Sequence, residues 1–208
     1  SLNESNELTI EYRATTDRAT IVNITNHAYW NLAGEGASTS AMGHRLTIAA
    51  DSYTPVDAGL IPTGEFRQVH GTVFDFRQPM AIGARVRDGR DPQIVLGRGY
   101  DHNFVIARTV SGEPRLLARV AEPVSGRGFE LWSNQPGLQF YSGNFLDATV
   151  VGKSRRAYRQ GDALVLEPQI FPDTPNRAEF GSARLDPGAT YRNVIIYRLF
   201  TEKAPTQR

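Results

Sequence analysis

The chain of 208 residues carries 23 Lys plus Arg against 22 Asp plus Glu, and both signs are scattered along it. No basic stripe offers a footprint to nucleic acid, and no apolar run approaches the ~20 residues that cross a bilayer, so neither nucleic acid nor membrane is an expected partner. With no cysteine, disulfides, thiol nucleophiles and zinc–thiolate sites are excluded, while the compartment stays open between cytoplasm and periplasm.

In chain order, Leu8, Ile10, Tyr12 and Ala14 alternate with polar residues, as do Leu46 and Ile48. Met80 to Val86 fits one short helical turn. Alternation then resumes at Phe104 and Ile106, and at Leu116, Ala118 and Val120, the period of half-buried strands. Ala163 to Glu167 and Val194 to Phe200 are apolar on both parities, as expected of core strands covered on both faces. Most of the 19 Gly and 12 Pro fall between these runs, as in Pro62-Thr63-Gly64, Gln135-Pro136-Gly137 and Asp186-Pro187-Gly188, each a turn signal. No long 3.6-residue stripe appears, so the connections should be loops rather than helices. The expectation is an all-β fold, a large antiparallel β-sandwich forming one domain over residues 1–208.

Three segments carry chemistry. Thr25-Asn26-His27-Ala28-Tyr29-Trp30-Asn31-Leu32-Ala33-Gly34 follows the apolar run Ile21 to Ile24 and places a histidine among aromatic residues, where it serves either as a packed, hydrogen-bonded side chain or as an acid. Gly99-Tyr100-Asp101-His102-Asn103-Phe104 is a turn entering a strand, and Asp101 there either caps the turn or faces a ligand. Leu164-Val165-Leu166-Glu167-Pro168-Gln169-Ile170-Phe171-Pro172-Asp173-Thr174-Pro175-Asn176 opens with an apolar strand that ends on a carboxylate. Such a group must be paired, hydrogen-bonded or neutralised, which leaves Glu167 as an ion-pair partner of an Arg or as a base.

These segments, in this order, resemble the signature motifs of the aldose 1-epimerase family, with supporting matches at Tyr53 to Val56, Leu60 to Gly64, Thr72 to Arg77 and Gln135 to Phe145. The resemblance runs from Leu8 to Phe200 and implies a galactose mutarotase-like supersandwich. It also implies that His27 is the general acid protonating the sugar ring oxygen, that Glu167 is the general base, and that Asp101 hydrogen-bonds sugar hydroxyls with His102 supporting it. Asn26 and Gln169, inside the same motifs, are expected to contact the sugar. Phe140 is expected in the core, and Tyr141 fits either the core or the apolar face of a pyranose.

A free aldose is thus the expected small-molecule partner, opened and reclosed between α and β anomers by proton transfer. No cofactor or metal is called for. The opposing reading is a β-sandwich that binds carbohydrate without catalysis; it has no need of an acid and a base together. The family's more N-terminal asparagine–arginine pair and Leu-His-Gly-Gly histidine have no counterpart here, and His44 and His70 stand in unrelated contexts. The chain is therefore expected to be the C-terminal portion of a longer protein, whose missing segment could accompany it as a separate chain, in a monomer or a homodimer. A leader lost with that segment would place it in the periplasm rather than the cytoplasm.

Overall fold

The structure is a computed structural model and describes residues 1–202. Its strands are β1 (Glu7–Ala14), β2 (Thr20–Ile21), β3 (Arg45–Ile48), β4 (Ser52–Thr54), β5 (Arg67–Gln68), β6 (Met80–Ala81), β7 (Asp101–Val105) and β8 (Arg115–Ala121). The chain continues with β9 (Arg127–Ser133), β10 (Gly137–Tyr141), β11 (Asp147–Val151), β12 (Ala157–Arg159), β13 (Val165–Gln169), β14 (Arg184–Leu185) and β15 (Tyr191–Thr201). Two antiparallel sheets dominate, one of six strands in the order β1-β15-β9-β8-β3-β6 and one of five in the order β13-β10-β7-β4-β5.

The core lies between these sheets. Leu46, Val120, Phe129, Leu131, Ile195 and Tyr197 of the first meet Tyr53, Phe104, Leu138, Phe140 and Leu166 of the second, all at most 1% exposed. Burying one such side chain is worth about 2–3 kcal/mol, so the period-2 alternation fixes which face of each strand turns inward. Register in the five-stranded sheet sets Phe140 opposite His102 and Leu166, and Leu138 opposite Phe104. The alternate residues of β13, β10 and β7 therefore share the outer face, and it is there that the polar motif residues collect.

Some expectations are corrected. Leu116 points outward and Leu117 inward, because a β-bulge between Leu116 and Ala118 shifts the register against β9. β15 is covered on both faces only over its residues Asn193, Val194 and Ile195, and Leu199 near its end is 38% exposed. Gly137 opens β10 instead of turning the chain; its missing side chain leaves room for Asn103 Oδ1 and Phe171, which a Cβ would strike. Not every connection is a loop. Ile82–Ala84 forms the 3-10 turn expected near Met80, and Pro92–Gly97 forms a helix, α1. It starts where Asp91 Oδ1 accepts the N–H groups of Gln93 and Ile94 with Pro92 in the first turn, and ends at Arg98 in left-handed conformation.

β13 stands at a sheet edge, where Pro168, lacking an N–H, is tolerated. The segment 23–30 runs along that edge and covers it. Asn23 exchanges hydrogen bonds with Ile170, Thr25 Oγ1 donates to Pro168 O, and Trp30 and Leu164 exchange backbone bonds of 2.8 and 2.9 Å.

Candidate active site

The segment bearing His27 is pinned from below by β15. Asn193, wholly buried, donates from Nδ2 to both Ile24 O and Pro168 O at 2.9 Å, while the Tyr191 hydroxyl donates to Ile24 O and accepts from Ile24 N. His44 holds the far end, its Nε2 accepting the Leu32 N–H at 2.9 Å. His44 is buried, and burial lowers its pKa, so it is kept neutral and fit to accept.

So anchored, His27 projects over the outer face of β13. Its Nε2 lies 3.7 Å from Glu167 Oε1. No Arg or Lys pairs with Glu167 among the described residues, which removes the Arg ion pair as an account of this carboxylate. Burial drives its pKa up to about 6, His27 opposing the shift and the nearby Asp101 adding to it. A carboxyl so placed stays largely ionised at neutral pH yet is far more basic than an ordinary glutamate.

Asp101 stands two strands away on the same face. Its Oδ1 accepts from Gln139 Nε2 at 2.8 Å, and burial raises its pKa against that hydrogen bond and against His27. Gln139 lies directly between Glu167 of β13 and Asn103 of β7 in register. Its contact with Asp101 makes it a site residue that sequence reasoning passed over as part of a supporting match. His102 is turned to the core: its Nδ1 accepts the Asp101 N–H at 3.1 Å, its Nε2 is 3.2 Å from Gln93 Oε1, and burial lowers its pKa to about 3. It stays neutral and fixes the Asp101 backbone.

Of the other expected contacts, Gln169 lies on the outer face two residues beyond Glu167. Asn26 uses its Oδ1 to accept the Ala28 N–H at 3.1 Å, an Asx turn that shapes the segment around His27. Phe140 is wholly buried in the core. Tyr141 lies on the site face, its ring centroid 6.2 Å from that of His27, and Tyr29, half exposed, is 5.0 Å from His27. The two tyrosine rings, 6.4 Å apart, cluster with the histidine, and Tyr29 leaves apolar surface open beside two carboxylates and an imidazole. A cavity of about 520 Å³ adjoins Tyr29 and Trp30 and extends towards Tyr158 on β12, but includes neither His27 nor Glu167.

Comparison with known proteins bears on the family of the chain. The family model described as aldose 1-epimerase matches residues 1–198. The galactose mutarotase of Mus musculus is 44% identical over 195 residues, 94% of this chain and 54% of that protein. The aldose 1-epimerase of Escherichia coli K12 is 36% identical over 203 residues, 97% of this chain and 57% of that protein. Among solved structures, the GalM/aldose epimerase homologue from C. elegans superposes with a TM-score of 0.83 at 32% identity, covering 98% of this chain and 58% of that one. The chain spans about half the length of the curated relatives it matches.

Proposed function

The chain belongs to the aldose 1-epimerase family, and from that premise we propose that the protein interconverts the α and β anomers of free aldohexoses such as glucose and galactose. The observation that carries this reading is the convergence of His27 and Glu167, 3.7 Å apart, with the glutamate's pKa raised to about 6. The anomeric oxygen and the ring oxygen are both bonded to C1, so a base and an acid serving them must converge on one point.

Glu167, as carboxylate, takes the proton of the anomeric hydroxyl. The electron pair of that O–H becomes the aldehyde C=O, the bond from C1 to the ring oxygen breaks, and protonated His27 delivers its proton to the departing oxygen. After rotation about C1–C2 the same steps run backwards on the other face of the aldehyde: the neutral imidazole removes the hydroxyl proton and the carboxylic acid protonates the carbonyl oxygen. Each group must act in both directions, which favours pKa values near the working pH. On this reading Asp101 and Gln139 hydrogen-bond other hydroxyls, and Tyr29 faces apolar ring carbons.

Polarimetry of freshly dissolved α-D-glucose and α-D-galactose with the full-length protein tests the proposal. The expected result is an approach to anomeric equilibrium well ahead of the buffer-catalysed rate. No acceleration with either sugar would overturn it.

A further inference from the structure

Asn103 is 1% exposed, yet neither its Nδ2 nor its Oδ1 has a hydrogen-bond partner. A primary amide left unmet inside a protein is destabilising, and an apolar residue of similar size would avoid that cost. The fold nevertheless makes room for this amide, since the bare backbone of Gly137 lies where a Cβ would strike Asn103 Oδ1. Directly opposite Asn103 in the β10–β7 pairing is Gln139, whose Oε1 is likewise buried and without a partner, while its Nε2 donates to Asp101 Oδ1. A spare donor and a spare acceptor therefore sit on opposed residues of neighbouring strands, on one face, and the structure leaves them unjoined.

We propose that Asn103 is a positioning residue that pairs through Nδ2 with Gln139 Oε1, locking the Gln139 amide with its NH₂ towards Asp101 and the bound sugar. A terminal amide has two nearly isosteric orientations, chosen by its partners. The reversed one would aim Oε1 at the Asp101 carboxylate and present the sugar with an acceptor where a donor is needed. The Asp101 carboxylate already favours the NH₂ on its side, and an Asn103 Nδ2 donor on the other adds to that preference. Asn103 is too deeply buried to touch substrate and acts through its neighbour. The inference deepens the proposed function and, as regards the sugar, rests on it.

Two measurements on the full-length protein test it. In ¹⁵N spectra, the Gln139 side-chain NH₂ signals, identified by their loss in Gln139→Leu, are expected to shift or broaden in Asn103→Leu. Unchanged signals would overturn the pairing whether or not the protein turns over sugar. In mutarotation kinetics, Asn103→Leu should raise KM ~10-fold with kcat within about 3-fold, the scale of one lost hydrogen bond, and should add nothing in a Gln139→Leu background. A KM effect of equal size in both backgrounds would place the action of Asn103 elsewhere. Asn103→Ala provides the same comparison if leucine does not fold. An inactive wild type with the spectral coupling intact would sink the mutarotase reading and leave the pairing standing.

Discussion

Glu167 is the shielded member and His27 the open member of one facing pair: their side chains are 13% and 47% exposed, with Nε2 3.7 Å from Oε1. That separation lies beyond a hydrogen bond, so neither group consumes the other's proton-transfer capacity and each stays available to a third party. Burial falls on the carboxylate alone, which is where added basicity is useful.

Removing that basicity should remove turnover. Glu167→Gln is expected to lower kcat by ~10²-fold or more, the usual span for loss of a general base, with little loss of folding. Polarimetric rates over a range of sugar concentrations provide the check, and near-normal kcat would exclude Glu167 as the base.

The same substitution should reveal a stability cost. The Glu167 pKa is raised in the folded protein from 4.5 to about 6, so the native state binds this proton more tightly than the unfolded chain. The associated stability is full below about pH 4.5 and lost as pH rises through about 6, a change of ~2 kcal/mol. Gln does not titrate. Urea unfolding of both proteins should therefore show the difference in unfolding free energy moving by about 2 kcal/mol in the variant's favour between pH 4 and pH 7. A constant difference would mean that Glu167 is not strained by its burial.

His27→Asn should cut kcat on the same scale as loss of the base, because an amide cannot deliver a proton to the ring oxygen. The His27 side chain is 47% exposed, so the melting temperature should change little. Unchanged mutarotation would reduce His27 to a packing residue.

Asp101→Ala should act chiefly on KM, since a hydrogen bond to a hydroxyl remote from C1 is made in ground and transition states alike. Initial rates across sugar concentrations separate the two parameters. A fall in kcat alone would take Asp101 off the list of binding groups.

Asn193→Leu strips the two hydrogen bonds that tie Ile24 O and Pro168 O together, leaving Ile24 O with the Tyr191 hydroxyl and Pro168 O with the Thr25 hydroxyl as donors. A loss of about 1–3 kcal/mol in denaturant unfolding is expected, with a drop in kcat as His27 loses its fixed distance from Glu167. Stability and kcat both at wild-type values would show that the Tyr191 and Thr25 hydroxyls suffice.

How much of this was legible in the sequence depended on whether the cause was local. The alternation of β1 and β3 and the polar motifs around His27, Asp101 and Glu167 are patterns of neighbours, and the structure bears out the strands and brings the three side chains to one face. The inward turn of Leu117 was hidden, because a bulge is defined against a partner strand. The helix Pro92–Gly97 escaped notice, being six residues long and too short to show a period. Gln139 reads as one polar residue between Leu138 and Phe140. Only the register that sets it between Glu167 and Asn103, and the hydrogen bond to Asp101, disclose its place.

The cover over the edge of β13 has a consequence for how this protein fails. A bare strand edge is a template on which another molecule can pair. Here the segment shielding that edge also carries His27, and the strand beneath carries Glu167. Any lesion that lifts the segment would separate the two proton-transfer groups and in the same motion offer β13 to neighbouring molecules, so loss of turnover and gain of self-association would arrive together.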